Sequence, residues 1–198
     1  MLKEIKGIQA IITVIFTVFG CGGEPAASRA PTAVSPPETG EVEETNGPQS
    51  VGNFTLKDTD GKPRVLSDYL GKQVVVLSFF ATWCEPCRIE LTELRDYYRD
   101  HQNAGFTVLA IAMDEPETQG DIRPFAQGRR LNFPVLLDTE LEAVTLYNPK
   151  REAPFVVVID KKPSIYWSHY GYLPGDGQRL QSVIEAAVEQ RSRPSDDQ

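Results

Sequence analysis

From residue 51 onward two long uncharged apolar runs dominate the hydropathy pattern, at residues 74–80 and 106–113. Runs of this length without polar alternation are expected of strands covered on both faces, so both are read as core strands. A third run, 155–159, follows Pro154, and residues 165–170 make the last strand. Between these runs the spacing changes to a helical one. Leu91, Leu94 and Tyr98 recur on one face of a helix from about 86 to 101, and Asn103 and Gly105 supply its stop signals. Further helices are expected at about 121–130, at 140–147 and at 178–190, with a short strand at 133–137. The closing helix turns Leu180, Val183, Ile184, Ala187 and Val188 toward the sheet. Ahead of the first core strand, residues 51–68 read as a β-hairpin. Its apolar positions are Phe54, Leu56, Val65 and Leu66, and its turn is Asp58-Thr59-Asp60-Gly61. Ser67 is placed to cap a short helical turn before Gly71. These elements make one α/β domain over residues 51–192, followed by a polar tail at 193–198.

Residues 1–21 form a separate segment. Lys3 and Lys6 give a basic start, and residues 7–20 are apolar and uncharged. As a helix that run would reach only ~21 Å, short of the roughly 30 Å hydrocarbon core, so it reads as the apolar region of a secretory signal. Its end, Val18-Phe19-Gly20-Cys21, resembles a bacterial lipobox, which implies cleavage before Cys21 and lipidation of its sulfur. The rival reading is a short uncleaved anchor with an incidental cysteine. Residues 22–50 contain Pro25, Pro31, Pro36, Pro37 and Pro48, with acidic positions at Glu41, Glu43 and Glu44 and almost no large apolar side chain. That composition cannot build a core and reads as a disordered, semi-extended linker.

Net charge over the 198 residues is −8, which gives nucleic-acid binding no electrostatic support. The cysteine count is three. Two of them, Cys84 and Cys87, lie where the first core strand gives way to the helix. A thiol at a helix N-terminus meets unpaired N–H groups and the positive end of the dipole, and both favour the thiolate. Cys84 is the better placed nucleophile, and Cys87, one turn inside, is close enough to form a disulfide with it. The pair therefore suits thiol–disulfide exchange. Zinc uses the same spacing but needs about four ligands, and only Cys21, His101 and His169 remain as typical soft donors. A permanently closed structural disulfide is the other alternative.

The segment Phe79-Phe80-Ala81-Thr82-Trp83-Cys84-Glu85-Pro86-Cys87-Arg88-Ile89-Glu90-Leu91 resembles the active site of the thioredoxin superfamily. More narrowly it is similar to the membrane-anchored TlpA/ResA-type thiol-disulfide oxidoreductases of the AhpC/TSA-like branch, over about residues 51–190. The resemblance implies a thioredoxin fold: a central mixed β-sheet flanked by helices, with an N-terminal β-hairpin. Cytosolic thioredoxins often carry a buried Asp six residues before the first cysteine. Ser78 stands there and cannot accept a proton. Glu90, three residues after Cys87, is expected to return to a similar face and move the thiol proton, as the matching Glu of ResA-type proteins is implied to do. The alternative for Glu90 is a solvated helix-face side chain. Thr92 stands where the family often has a helix-kinking Pro.

Pro86 fits an early helix position, and Glu85 adds negative charge beside the thiolate. Trp83 is read either as a partner-contacting shield for the sulfurs or as a core aromatic. By the same resemblance Pro154 is cis and faces the cysteines, and Ala153 offers main-chain groups to an extended substrate. An ordinary trans-Pro at a strand entry is the alternative. His101 and His169 are read as structural.

The resulting expectation is an extracytoplasmic lipoprotein facing the periplasm or cell exterior. Cys84 and Cys87 would exchange disulfides, with Trp83, Glu85, Pro86, Ala153 and Pro154 meeting the substrate. No cofactor or metal is expected. The resemblance implies protein disulfide substrates, apocytochrome c among them, and re-reduction by a DsbD/CcdA-type membrane thiol reductant. The rivals are an oxidase or isomerase using the same residues, a peroxidase, and a non-catalytic metal-binding lipoprotein.

Overall fold

A computed structural model describes residues 51–190 of the chain. The signal segment with Cys21, the linker at 22–50 and the tail expected at 193–198 lie outside the described residues. Seven strands form one mixed sheet in the order β2-β1-β5-β4-β3-β6-β7. They are β1 (Thr55–Asp58), β2 (Pro63–Val65), β3 (Val74–Phe80), β4 (Phe106–Ala112), β5 (Val135–Leu137), β6 (Phe155–Ile159) and β7 (Ile165–Tyr170). Among the described residues there are four α-helices: α1 (Glu85–Asp100), α2 (Gln119–Gly128), α3 (Glu142–Tyr147) and α4 (Asp176–Val188). This is the α/β arrangement expected from the sequence, including the N-terminal hairpin, in which β1 pairs antiparallel with β2.

Strand alternation sorts the core into two layers. Val74, Val76 and Phe80 of β3 pack with Leu91 and Leu94 of α1, Phe125 of α2 and Ile184 of α4. Val75, Leu77 and Phe79 face the other way, with Val144 and Tyr147 of α3 and Phe54 and Leu66 of the hairpin region. Successive side chains of a strand point to opposite faces, so Ser78 belongs to the first layer, beneath α1. It is fully buried there. Each fully buried leucine-sized side chain contributes about 1.5–3 kcal/mol, and both layers are filled mainly by such residues. Phe80, at the end of β3, stacks on Phe125 with ring centroids 5.4 Å apart, which fixes α2 beside the strand's C-terminal end.

Several boundaries and orientations depart from the expected ones. On α1 the buried aromatic is Tyr97, which stacks on His101, while Tyr98 is only half-buried and meets Phe106 edge-on. Ser67 does not cap a turn: it sits inside a short 3₁₀ segment, Leu66–Asp68, and its N–H donates to Asn53 Oδ1 at 2.9 Å. The helix expected at 121–130 starts at Gln119 and ends at Gly128. No helix among the described residues is long and apolar enough to cross a membrane.

Candidate active site

β3 delivers the chain to the edge of the sheet, and α1 carries it back. The loop between them is tied down on one side by Asp114, two residues beyond the end of β4. Its buried carboxylate accepts the Thr82 N–H at 3.0 and 3.2 Å, and the Thr82 hydroxyl donates to the same group. The parallel register places Phe80 opposite Ala112, so Thr82 and Asp114 are the same two steps past the ends of neighbouring strands. Parallel strands end their loops at the same edge, which is where α/β sheets build their sites. On the other side Arg88 reaches back from α1 and donates to the Thr82 carbonyl at 3.1 and 3.3 Å.

Cys84 is the N-cap of α1, and its Sγ accepts the Cys87 N–H at 3.3 Å. Pro86 occupies the first turn, where a missing N–H removes no helix bond. The two sulfurs are joined in a disulfide with Cα atoms 5.3 Å apart. Both residues are buried, Cys87 completely. Glu85 points to solvent and pairs with Arg88 at 2.6 Å, so a cation offsets the charge expected to act on the sulfurs.

Glu90 lies one turn beyond Cys87 on the buried face of α1, 2% exposed. Helix geometry puts residues three apart on one face. Its partner is Ser78, whose hydroxyl donates to Glu90 Oε1 at 2.7 Å. Burial pushes the Glu90 carboxyl up to about 8; the Ser78 hydrogen bond pulls against that rise, and the negative charge of Asp176 adds to it. The serine in the buried-acid position of β3 thus becomes the donor to an acid carried on the helix. Thr92 closes a local bond to the Arg88 carbonyl at 2.7 Å, and α1 runs unbroken past it with Glu90 still facing inward.

The Ala153–Pro154 bond is cis, and Pro154 is buried. Its carbonyl accepts the Gly171 N–H at 2.9 Å, so the end of β7 holds this loop in place. Ala153 packs against the layer that contains both cysteines. It also shares with Ala81 and Trp83 the wall of a cavity of about 260 Å³. Met113, Pro116, Leu141 and Val144 add apolar surface to that wall, and Asp114, Glu115, Asp138 and Arg151 bring charge to it. Trp83 is 68% exposed, which settles its orientation toward solvent rather than the core. Trp83 and Ala153 therefore meet at one groove, whereas Glu85 and Pro86 are exposed and do not line it. Among the described residues no group of three or more His, Cys, Asp and Glu side chains is placed to share a metal ion.

Sequence reasoning missed Thr82, Asp114 and Asp176. The first two were within reach: an acid placed directly after a buried strand, level with the loop of its parallel neighbour, has few partners except that loop.

A sequence profile of the AhpC/TSA family matches residues 48–168. The thiol-disulfide oxidoreductase ResA of Bacillus subtilis is 36% identical over 96 residues, which are 48% of this chain and 52% of that protein. ResA of Halalkalibacterium halodurans is 30% identical over 125 residues, 63% of this chain and 68% of that protein. The chain spans about half to two thirds of the length of such curated relatives. Among solved structures, a candidate thiol:disulfide interchange protein DsbE from Chlorobium tepidum superposes with a TM-score of 0.65 at 30% identity, covering 71% of this chain and 96% of that one. The architecture is thus the thioredoxin fold.

Proposed function

The chain belongs to the AhpC/TSA family, and from that membership we propose that it is a ResA-type thiol-disulfide oxidoreductase that reduces protein disulfides. One observation carries the reading: a Cys84–Cys87 disulfide closes the first turn of α1, with a buried carboxyl of raised proton affinity one turn behind it.

The chemistry balances as a two-electron exchange. In the dithiol protein the Cys84 thiolate attacks one sulfur of the substrate disulfide. A Cys84–substrate bond forms, the substrate S–S bond breaks, and the departing thiolate takes a proton from water. Glu90, as carboxylate, accepts the proton of the Cys87 thiol. The Cys87 thiolate then attacks Cys84 Sγ, forming the intramolecular disulfide and expelling the second substrate thiolate. The substrate gains two electrons and the protein loses them. Glu90 thereby acts as a general base whose proton affinity lies close to neutral pH, where such a group works best. Trp83 and Ala153, on the walls of one groove, are suited to meet an extended segment of the substrate. The cis Pro154, which has no N–H, fixes the backbone beside it.

The physiological setting follows the same reading. Lipidation at Cys21 would hold the domain on the outer side of a membrane. A DsbD/CcdA-type thiol carrier would return it to the dithiol form, and apocytochrome c is a fitting substrate.

Two measurements test the proposal. Cys87→Ser leaves the attacking thiol without its resolving partner, so it is expected to accumulate a mixed disulfide that Cys84→Ser does not form. Absence of that adduct with disulfide-bearing proteins would contradict exchange. The reduction potential of the full chain tests the direction of flow. A value at or below roughly −250 mV, near thioredoxin's, is expected, while one near roughly −120 mV would reassign the protein to disulfide formation.

A further inference from the structure

The segment that brings Ala153 to the site is fixed by a side chain that the exchange mechanism leaves unused. α3 ends at Tyr147, and residues 148–154 lead from it to the start of β6 at Phe155. Asn148, the first residue after the helix, is buried, 2% exposed. Its amide takes up both main-chain groups of Glu152. Nδ2 donates to the Glu152 carbonyl at 2.8 Å, and Oδ1 accepts the Glu152 N–H at 3.0 Å. A neighbouring strand would supply the same pair of bonds; here one side chain does. Nδ2 also lies 3.3 Å from Sδ of Met113, the residue after the end of β4. The Asn148 main chain completes the frame: its N–H donates to the Val144 carbonyl at 2.8 Å, and its carbonyl accepts the Arg151 N–H at 2.8 Å. That turn holds Arg151 at φ 55°, a left-handed conformation that a residue with a Cβ seldom adopts unaided. Beyond Ala153, the Pro154 carbonyl is held by the Gly171 N–H at 2.9 Å. Ala153 therefore lies between two pinned residues. Its own main chain is different: among the described residues no group donates to the Ala153 carbonyl or accepts from its N–H.

We propose that Asn148 is a positioning residue for substrate binding: by pinning Glu152 it holds the unpaired N–H and carbonyl of Ala153 in place for an extended segment of a disulfide-bearing protein. The inference rests on the proposed exchange function. A buried amide is stabilising only where its bonds are met, and Asn148 spends its side-chain bonds on the residue directly before Ala153. Ala153 and Met113 also share the wall of the groove that Trp83 borders, so the residues that Asn148 ties together are those that shape the site beside the disulfide. A loop left loose has to be ordered when substrate binds, and that ordering subtracts from affinity. The substrate class favoured by a pinned loop is one that offers main-chain groups next to its disulfide. A small disulfide without peptide groups gains nothing from it.

Two measurements on the full chain test this. The first needs no variant and no substrate. Amide hydrogen exchange at Glu152 is expected to be slowed roughly tenfold or more relative to an unstructured chain, although the residue lies between α3 and β6. Exchange at the unstructured rate overturns the proposal. The second compares reduction of a disulfide-linked peptide with reduction of hydroxyethyl disulfide, which has no peptide group. Asn148→Ala is expected to lower the ratio of the two rate constants ~5–10-fold. Asn148→Asp keeps the size and the acceptor for the Glu152 N–H but loses the donor to its carbonyl, so the comparison does not depend on the alanine variant folding. It is expected to lower the ratio in the same direction. An unchanged ratio overturns the proposal, whether both rates hold or both fall together, since an equal fall would assign Asn148 to the fold of the site as a whole. In either case a parent that reduces both disulfides leaves thiol exchange standing. A parent that reduces neither would overturn the exchange function and this inference with it.

Discussion

Two carboxylates in this protein are both closed off from solvent and behave in opposite ways. Asp58, at the hairpin turn, is 4% exposed, and Glu90, behind the cysteines, is 2% exposed. Burial pushes both upward. At Asp58 that push is outweighed by the N–H groups of Lys62 and Asp60 and by the Arg64 guanidinium, which lies 2.8 Å away, and the carboxyl ends below its usual value. At Glu90 a single hydroxyl opposes burial, a second carboxylate reinforces it, and the carboxyl rises to about 8. Depth of burial and the supply of donors together decide what a carboxylate does: Asp58 lies at a surface turn, Glu90 between α1 and the sheet. Donors turn Asp58 into a permanent anion that fixes a turn, and their scarcity turns Glu90 into a group able to take and release a proton.

The largest expected consequence lies in stability. Between about pH 4.5 and 8 the folded protein keeps a proton on Glu90 that the unfolded chain has released, so stability is full below that window and falls as pH rises through it. Glu90→Gln removes this dependence. It is expected to be more stable than the parent by ~2–4 kcal/mol at pH 8, with the gap closing toward pH 4.5. Urea unfolding at several pH values checks this, and a constant gap would break the contrast at the Glu90 end.

Asp58 has the opposite sign. Its lowered carboxyl stabilises the fold above the unfolded value of about 3.9, and that contribution is lost as pH falls through the folded value. Asp58→Asn strips the Arg64 pair and weakens the turn, which is expected to cost ~1–3 kcal/mol at pH 7 and progressively less below pH 4. Equal losses at pH 7 and pH 3 would contradict the assignment. The smallest effect belongs to Ser78→Ala. Removing the one hydroxyl that Glu90 receives is expected to raise the Glu90 midpoint by about 1 pH unit, since such a bond is worth ~1.5–3 kcal/mol to the carboxylate against about 1 kcal/mol to the neutral acid. A fall in that midpoint would show that Ser78 does not stabilise the carboxylate.

The same contrast explains what could be read from the sequence. Apolar runs marked β3 and β6 with their observed ends, because a strand covered on both faces has no other way to be written. The spacing of Cys84, Cys87 and Glu90 on one helix was legible because helix geometry is nearly fixed. Ser78 was recognised as unable to accept a proton, but its donor role depends on which face of β3 lies under α1, and that is set by tertiary packing. Trp83 stayed ambiguous because an aromatic beside a buried run fits core and surface equally. Asp176 lies 86 residues beyond Glu90 in the chain, and no local pattern links the two. Asp58 looked like a turn residue, and it is one; only the distances show that the turn also claims its charge.

The central claim is that Glu90 takes the proton of Cys87 during resolution. It is tested most directly by single-turnover reduction of a disulfide peptide by the dithiol protein, followed across pH in the parent and in Glu90→Gln. The account predicts that resolution in the parent rises through an ionisation near pH 8 and that this ionisation disappears in the variant, with a rate loss of ~10²-fold or more, the range of positioned general bases. Superimposable pH profiles and rates in the two proteins would contradict it.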